Sequence, residues 1–171
     1  MEEAVNGHEG LVCEGRVRCM AWSYDGETVR NLVRGEQLLT TFAISASEDL
    51  RDFCLRERYR LGYSPRTKTF AVLREGVEIG LLIYEDWGPP QGYIYEVFVL
   101  PEFRGKGVGA WMLAQAERIA RELGCTSVKL EPRSLDRLQH TNDALISWYE
   151  RKGYVQCDQD GSKWVKSLSP L

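Results

Sequence analysis

Residues 101–109 read PEFRGKGVG, between an apolar run, YIYEVFVL (93–100), and a helical pattern that begins at Val108. Strand, glycine-rich turn and helix start together make an anion site. The first N–H groups of a helix have no partner within it, and the helix dipole favours negative charge there. Gly105, Gly107 and Gly109 bring no Cβ that would hold a phosphate away, and Arg104 and Lys106 can add charge-assisted donors. A diphosphate fits this pattern.

The elements that must position the loop follow from periodicity and turn chemistry. GRVRCMAWSY (15–24) alternates and predicts a strand, while SASEDLRDFCLRERYRLG (45–62) predicts a helix. That helix opens on a capping box from Ser45 to Glu48 and carries Leu50, Phe53, Cys54 and Leu61 at helical spacing. TFAVLREGVEIGLLIYED (69–86) reads as two strands about a tight REGVE turn. WGPPQG (87–92) reads as a loop, because two prolines cannot sit inside a ladder. YIYEVFVL is then a third, central strand. From Val108 the apolar residues recur with period 3.6 through Leu123, and Gly124 closes the helix. SVKLEP (127–132) is a strand stopped by Pro132. NDALISWYERKG (142–153) is a helix capped by Asn142 and closed by Gly153, and YVQC with KWVKSL forms a last hairpin. The order predicts a mixed α/β sheet.

Two nucleotide motifs compete for the loop. Gly105, Gly107 and Ala110 formally match G-x-G-x-x-A, with Glu131 near the place of a ribose-binding acid. That fingerprint turns directly from strand into glycine, whereas Pro101 to Arg104 intervene here, and too little chain follows for a doubly wound sheet. No G-x-x-x-x-G-K-[ST] is present.

VFVLPEFRGKGVGAWML resembles the acyl-CoA-binding motif of the GNAT superfamily of N-acetyltransferases, [QR]-x-x-G-x-[GA], at Arg104, Gly107 and Gly109. NDALISWYERKGY resembles a second element of that family: Asn142, a helix carrying Tyr149, then Lys152-Gly153-Tyr154. The likeness covers roughly residues 66–168. It implies a single-domain, mostly antiparallel twisted sheet flanked by helices and splayed at its central strands. It also implies acetyl-CoA as co-substrate, its pantetheine arm lying along the backbone at Phe98, Val99 and Leu100 like an added strand. The diphosphate would meet the N–H groups of Arg104, Gly105, Lys106, Gly107, Val108 and Gly109, and Asn142 would add a contact. The Val99 N–H would polarise the thioester carbonyl. Tyr149 would protonate the leaving thiolate as general acid, and Glu96 is the candidate base. The implied reaction is acetyl transfer to a primary amine by direct attack in a ternary complex, the amine belonging to a small molecule or to a protein lysine or N-terminus. The alternatives are a non-catalytic acyl-CoA sensor and, through the glycine match, an NAD-dependent oxidoreductase.

Composition sets the outer limits. The chain has 171 residues, 43% hydrophobic and 27% charged, which suits one soluble domain. The acidic, polar start predicts a flexible tail over 1–12, with the domain at 13–171. A net charge of −3 argues against nucleic acid, and no apolar run is long enough to suggest a membrane span. Five cysteines without a CxxC pair and two histidines suggest no metal site and fit reduced thiols in the cytoplasm. Oligomeric expectation is a monomer or homodimer. Residues 75–102 hold six acids and neither Lys nor Arg. They are either the wet face of a hairpin or, joined by Asp158 and Asp160, a negative cleft for a cationic acceptor such as a polyamine, lysine side chain or aminoglycoside.

Overall fold

The computed structural model describes residues 38–135 and 141–169. The expected tail over 1–12 and strand over 15–24 lie outside the described residues. Among the described residues seven strands form one sheet: β1 (Leu39–Ile44), β2 (Thr67–Arg74), β3 (Val77–Glu85), β4 (Gln91–Val99), β5 (Ser127–Leu130), β6 (Val155–Cys157) and β7 (Asp160–Ser167). Their spatial order is β1-β2-β3-β4-β5-β7-β6, and every pairing is antiparallel except β4 with β5. Three α-helices among the described residues flank the sheet: α1 (Phe53–Gly62), α2 (Val108–Glu122) and α3 (Asn142–Glu150). α1 closes a core of Leu50, Leu55, Tyr59, Leu81 and Ile83 on one face. On the other face α2 and α3 pack Val108, Met112, Ala116 and Tyr149 against Leu82, Ile94 and Leu130. This is the mixed, mostly antiparallel α/β architecture expected from the sequence. No helix among the described residues is long and apolar enough to cross a membrane.

Local chemistry explains most boundaries. The β2–β3 hairpin turns on Glu75 and Gly76, both at positive φ (52° and 81°), a geometry whose twist matches paired strands. α2 buries its 3.6-period face and ends where Gly124 takes φ 80°. β1, LTTFAI, was not anticipated: four of its six residues are exposed, so it shows little alternation.

Three expectations need correction. The helix over 45–62 is broken. The Asp49 carboxylate accepts the N–H groups of Ser45 (2.9 Å) and Ala46 (3.0 Å), making a short 3₁₀ turn in place of a Ser45–Glu48 box. Glu78 then takes the N–H groups of Arg51 and Asp52 and holds the chain extended, so α1 starts only at Phe53, capped by Asp52 Oδ1 accepting from Leu55 N–H (3.0 Å). In consequence Phe53, Cys54 and Leu61 are exposed, and Leu55, Tyr59 and Gly62 are the buried positions. Secondly, β4 begins at Gln91, inside the expected loop. Thirdly, Asn142 is the first residue of α3 rather than its cap, because Thr141 Oγ1 accepts the Ala144 N–H (3.2 Å).

The feature that shapes the site is a bulge in β4. Ile83 pairs with Glu96 and Tyr84 with Ile94, which leaves Tyr95 as an extra residue. Ile94 and Val97, three apart, therefore share the α2 face, whereas Phe98 and Leu100 join the α1 core. Bulges bend and twist a strand. Beyond this one β4 and β5 separate, pairing only from Gln91–Ser127 to Ile94–Leu130.

Candidate active site

Where β4 leaves β5, a cleft of about 360 Å³ opens, lined on the β4 side by residues 93–99 and on the other by Leu130, Glu131, Arg133, Ser134 and Leu135. Leu100 N–H donates to Ile79 O (2.9 Å), and bonds alternate along an antiparallel pair. Phe98 and Leu100 are thus turned toward β3, while Val97 and Val99 turn their N–H and C=O toward the cleft. The Val99 carbonyl confirms the direction: it accepts from Arg104 Nε at 2.9 Å. Of the three positions expected to pair with a ligand, only Val99 faces the opening. Val97, not singled out from the sequence, faces it too, and only the bulge could have revealed that.

At the upper end of the cleft the loop enters α2. Gly105 (φ 71°) and Gly107 (φ 80°) are left-handed, and Gly107 is the cap of the helix. A Cβ on either would meet no protein atom within 4 Å. The N–H groups of Val108, Gly109 and Ala110 find no backbone acceptor among the described residues, as a helix start requires. The Arg104 N–H does find one, Pro101 O at 3.3 Å, so the exposed amide series starts at Gly105. Both expected cations lean back on their own chain: Arg104 lies 5.8 Å from the Phe98 ring centroid, and Lys106 Nζ donates to Glu102 O (3.0 Å).

Tyr149 lines the same cleft with Leu145 and Trp148. Its ring is held edge-on by Trp148 (4.8 Å) and Tyr154 (5.7 Å), and Tyr154 N–H donates to Tyr149 O (3.2 Å). Tyr154 is itself fixed. Its hydroxyl donates to Glu117 Oε1 on α2 (3.2 Å), a carboxylate also bound by Lys166 Nζ at 2.9 Å to each oxygen. This buried network joins the helix that begins at the glycine loop to the helix that carries Tyr149. Burial pushes the Tyr149 hydroxyl well above the ordinary phenol pKa, so it stays protonated at neutral pH.

Glu96 is brought to the cleft, but both its oxygens are occupied. Arg58 of α1 donates from Nε to Oε1 (2.6 Å) and from Nη2 to Oε2 (2.5 Å), a bidentate pair. Two further acids of the span are committed as well. Glu78 caps the approach to α1, and Asp86 accepts from Gly88 N–H (3.0 Å) and pairs with Lys68 (3.3 Å). Asp160 pairs with Lys163 and accepts from Ser162, which draws its carboxyl down to about 2, and Asp158 is exposed. The carboxylate that sequence reasoning passed over is Glu131. It lies just past the point where β4 and β5 part, lines the cleft, and makes no hydrogen bond or ion-pair contact among the described residues, the Lys163 ammonium acting on it only at longer range. Its signal in the sequence is its place at the end of β5, where the G-x-G-x-x-A match would use it for a ribose. Asn142 acts on the cleft wall indirectly: its Oδ1 accepts from Ser134 N–H (2.9 Å), and Ser134 lines the cleft.

The fold agrees with the comparisons. The profile of the Acetyltransferase (GNAT) family matches residues 33–154. The chain belongs to that family. Mycothiol acetyltransferase of Propionibacterium freudenreichii is 32% identical over 90 residues, 48% of this chain and 27% of that protein, so the match spans little more than a quarter of the relative. Among solved structures, the ribosomal-protein-S18-alanine N-acetyltransferase of Escherichia coli superposes with TM-score 0.60 at 15% identity, over 78% of this chain and 96% of that one. An acetyltransferase of Elizabethkingia anophelis with acetyl-CoA bound gives TM-score 0.54 at 14% identity, over 76% and 98%. These structural likenesses concern the fold.

Proposed function

We propose that this chain transfers an acetyl group from acetyl-CoA to a primary amine by direct attack in a ternary complex. The observation that carries the reading is the opened edge of β4. It runs from the α2 N-terminus, past two outward N–H groups, to a cleft with a buried phenol on one wall and an unpaired carboxylate on the other. The amides of residues 105–110 would hold the diphosphate, and the left-handed glycines leave room for it. Val97 and Val99 would pair with the pantetheine arm, and an outward N–H would bind the thioester oxygen as charge develops on it.

The base role passes from Glu96, held by Arg58, to Glu131. The ammonium gives a proton to Glu131, and the freed amine attacks the carbonyl carbon. As the C–N bond forms and the C–S bond breaks, Tyr149 protonates the departing thiolate. The nitrogen sheds a second proton, so one proton ends on the thiol and one leaves to solvent. Fixing amine and thioester side by side supplies much of the rate. For a polycationic acceptor the acidic span lends little support, since its cleft-lining member is already paired. The free thiols of Cys54, Cys125 and Cys157 suit a cytoplasmic setting.

The test is amine-dependent release of CoA. Intersecting double-reciprocal lines are expected, with Glu131→Gln lowering kcat roughly 10²-fold. Binding of acetyl-CoA without release of CoA by any amine would make the chain a binding module instead. Parallel lines would exclude direct attack.

A further inference from the structure

The acceptor side of the cleft carries two opposite charges that do not neutralise each other. Past the end of β5, Glu131, Arg133 and Leu135 are exposed while Pro132 and Ser134 between them are buried, so the three share one side of an extended segment. All three line the cleft. No ion pair or hydrogen bond engages Glu131 or Arg133 among the described residues. Side chains two apart on an extended chain stand roughly 6–7 Å from each other. That suits a carboxylate and a guanidinium that grip adjacent groups of one small molecule.

The wall opposite is aromatic. Tyr93 is stacked on Trp87, with ring centroids 4.5 Å apart and planes 2° from parallel, and is nearly buried. Tyr95, the bulge residue, lines the cleft and is 38% exposed. The Tyr93 hydroxyl, its pKa raised chiefly by burial, is also within electrostatic range of Glu131, Lys163, Glu85 and Arg133. Trp87 is fixed from behind. Asp86 and Gly88 form a local turn, and the Pro90 carbonyl accepts the N–H groups of Thr126 (2.9 Å) and Ser127 (3.2 Å). The loop WGPPQG thus backs Tyr93, which lines the cleft. A polyamine or aminoglycoside, with several positive charges, would find Arg133 facing it and one carboxylate to share.

We infer that the acceptor is a free α-amino acid with an aromatic or apolar side chain, its ammonium on Glu131, its carboxylate on Arg133 and its side chain against Tyr95 and Leu135. The inference rests on the transfer reading above. Arg133 is then a specificity-determining residue, since a fork of donors matches a carboxylate in geometry as well as charge.

The experiment compares L-phenylalanine, phenethylamine and spermidine as acceptors with saturating acetyl-CoA, for the wild type and for Arg133→Gln and Arg133→Lys. In the wild type kcat/KM for phenylalanine should exceed that for phenethylamine about tenfold to hundredfold, as one charge-assisted contact provides. Arg133→Gln should shrink that ratio to within about threefold, through KM for the amino acid, and Arg133→Lys should restore part of it. Phenethylamine or spermidine performing as well as phenylalanine in the wild type would overturn the inference while leaving amine acetylation standing. So would an unchanged ratio in Arg133→Gln. Failure of all three acceptors, with calorimetry showing no phenylalanine binding to the CoA-loaded protein, would overturn the inference and remove support from the transfer reading as well.

Discussion

Tyr149→Phe is expected to lower kcat by about 10²–10³-fold while changing the KM for acetyl-CoA less than about threefold. The ring sits in a box made by Trp148 and Tyr154 and is 8% exposed, so phenylalanine fills the same space. What is lost is one hydroxyl, which has no hydrogen-bond partner among the described residues and faces the cleft. The fold should therefore tolerate the change, and the melting temperature serves as the control. Burial raises the phenol's pKa, so the neutral, proton-donating form is present below the ordinary tyrosine value of about 10 and persists above it. The rate should not fall through Tyr149 ionisation anywhere between pH 6 and 9.5. The variant's profile should be the wild-type curve displaced downward, with its limbs at the same pH. A profile that loses its alkaline limb would mean that Tyr149 titrates in that range and is not the buried acid described.

The second large effect belongs to the loop. Gly107→Val is expected to raise the Kd and KM for acetyl-CoA roughly 30- to 100-fold, the worth of one or two charge-assisted contacts. Gly107 holds φ 80° at the start of α2, a conformation that costs an L-residue about 1–2 kcal/mol. A Cβ there would meet no protein atom within 4 Å, so the fold loses chiefly that strain. The larger loss falls on the ligand, because the added methyls project beside the amides of Val108 and Gly109. Calorimetric titration with CoA, paired with a thermal melt, separates the two contributions. Affinity unchanged beside a lowered melting temperature would place the diphosphate somewhere else.

How much of this was legible beforehand depends on whether a feature is written locally. The glycine loop, the period of α2 and the Glu75–Gly76 turn are statements about neighbouring residues, and those elements formed as expected. The opened sheet was legible only through resemblance, since its cause is the extra residue Tyr95, and a bulge shows in the register between two strands. Glu96 and Arg58 are 38 positions apart, so no spacing rule reveals that the carboxylate is held in a fork. For the same reason Glu131 could not be recognised as available, because being unpaired depends on every element that packs around it. At the start of α1, Asp49 and Glu78 capture amides that a local capping rule had assigned to a single helix.

The central claim is that the open edge of β4 receives acetyl-CoA as an added strand. Residue-resolved amide hydrogen exchange, on the free protein and with saturating acetyl-CoA, tests it most directly. Exchange at Val97, Val99 and residues 105–110 should slow by more than about tenfold. Phe98 and Leu100, whose amides are turned toward β3, should change little, giving an alternating pattern along the strand. Unaltered exchange at Val97 and Val99 in the saturated protein, or slowing there by NAD and not by acetyl-CoA, would contradict it.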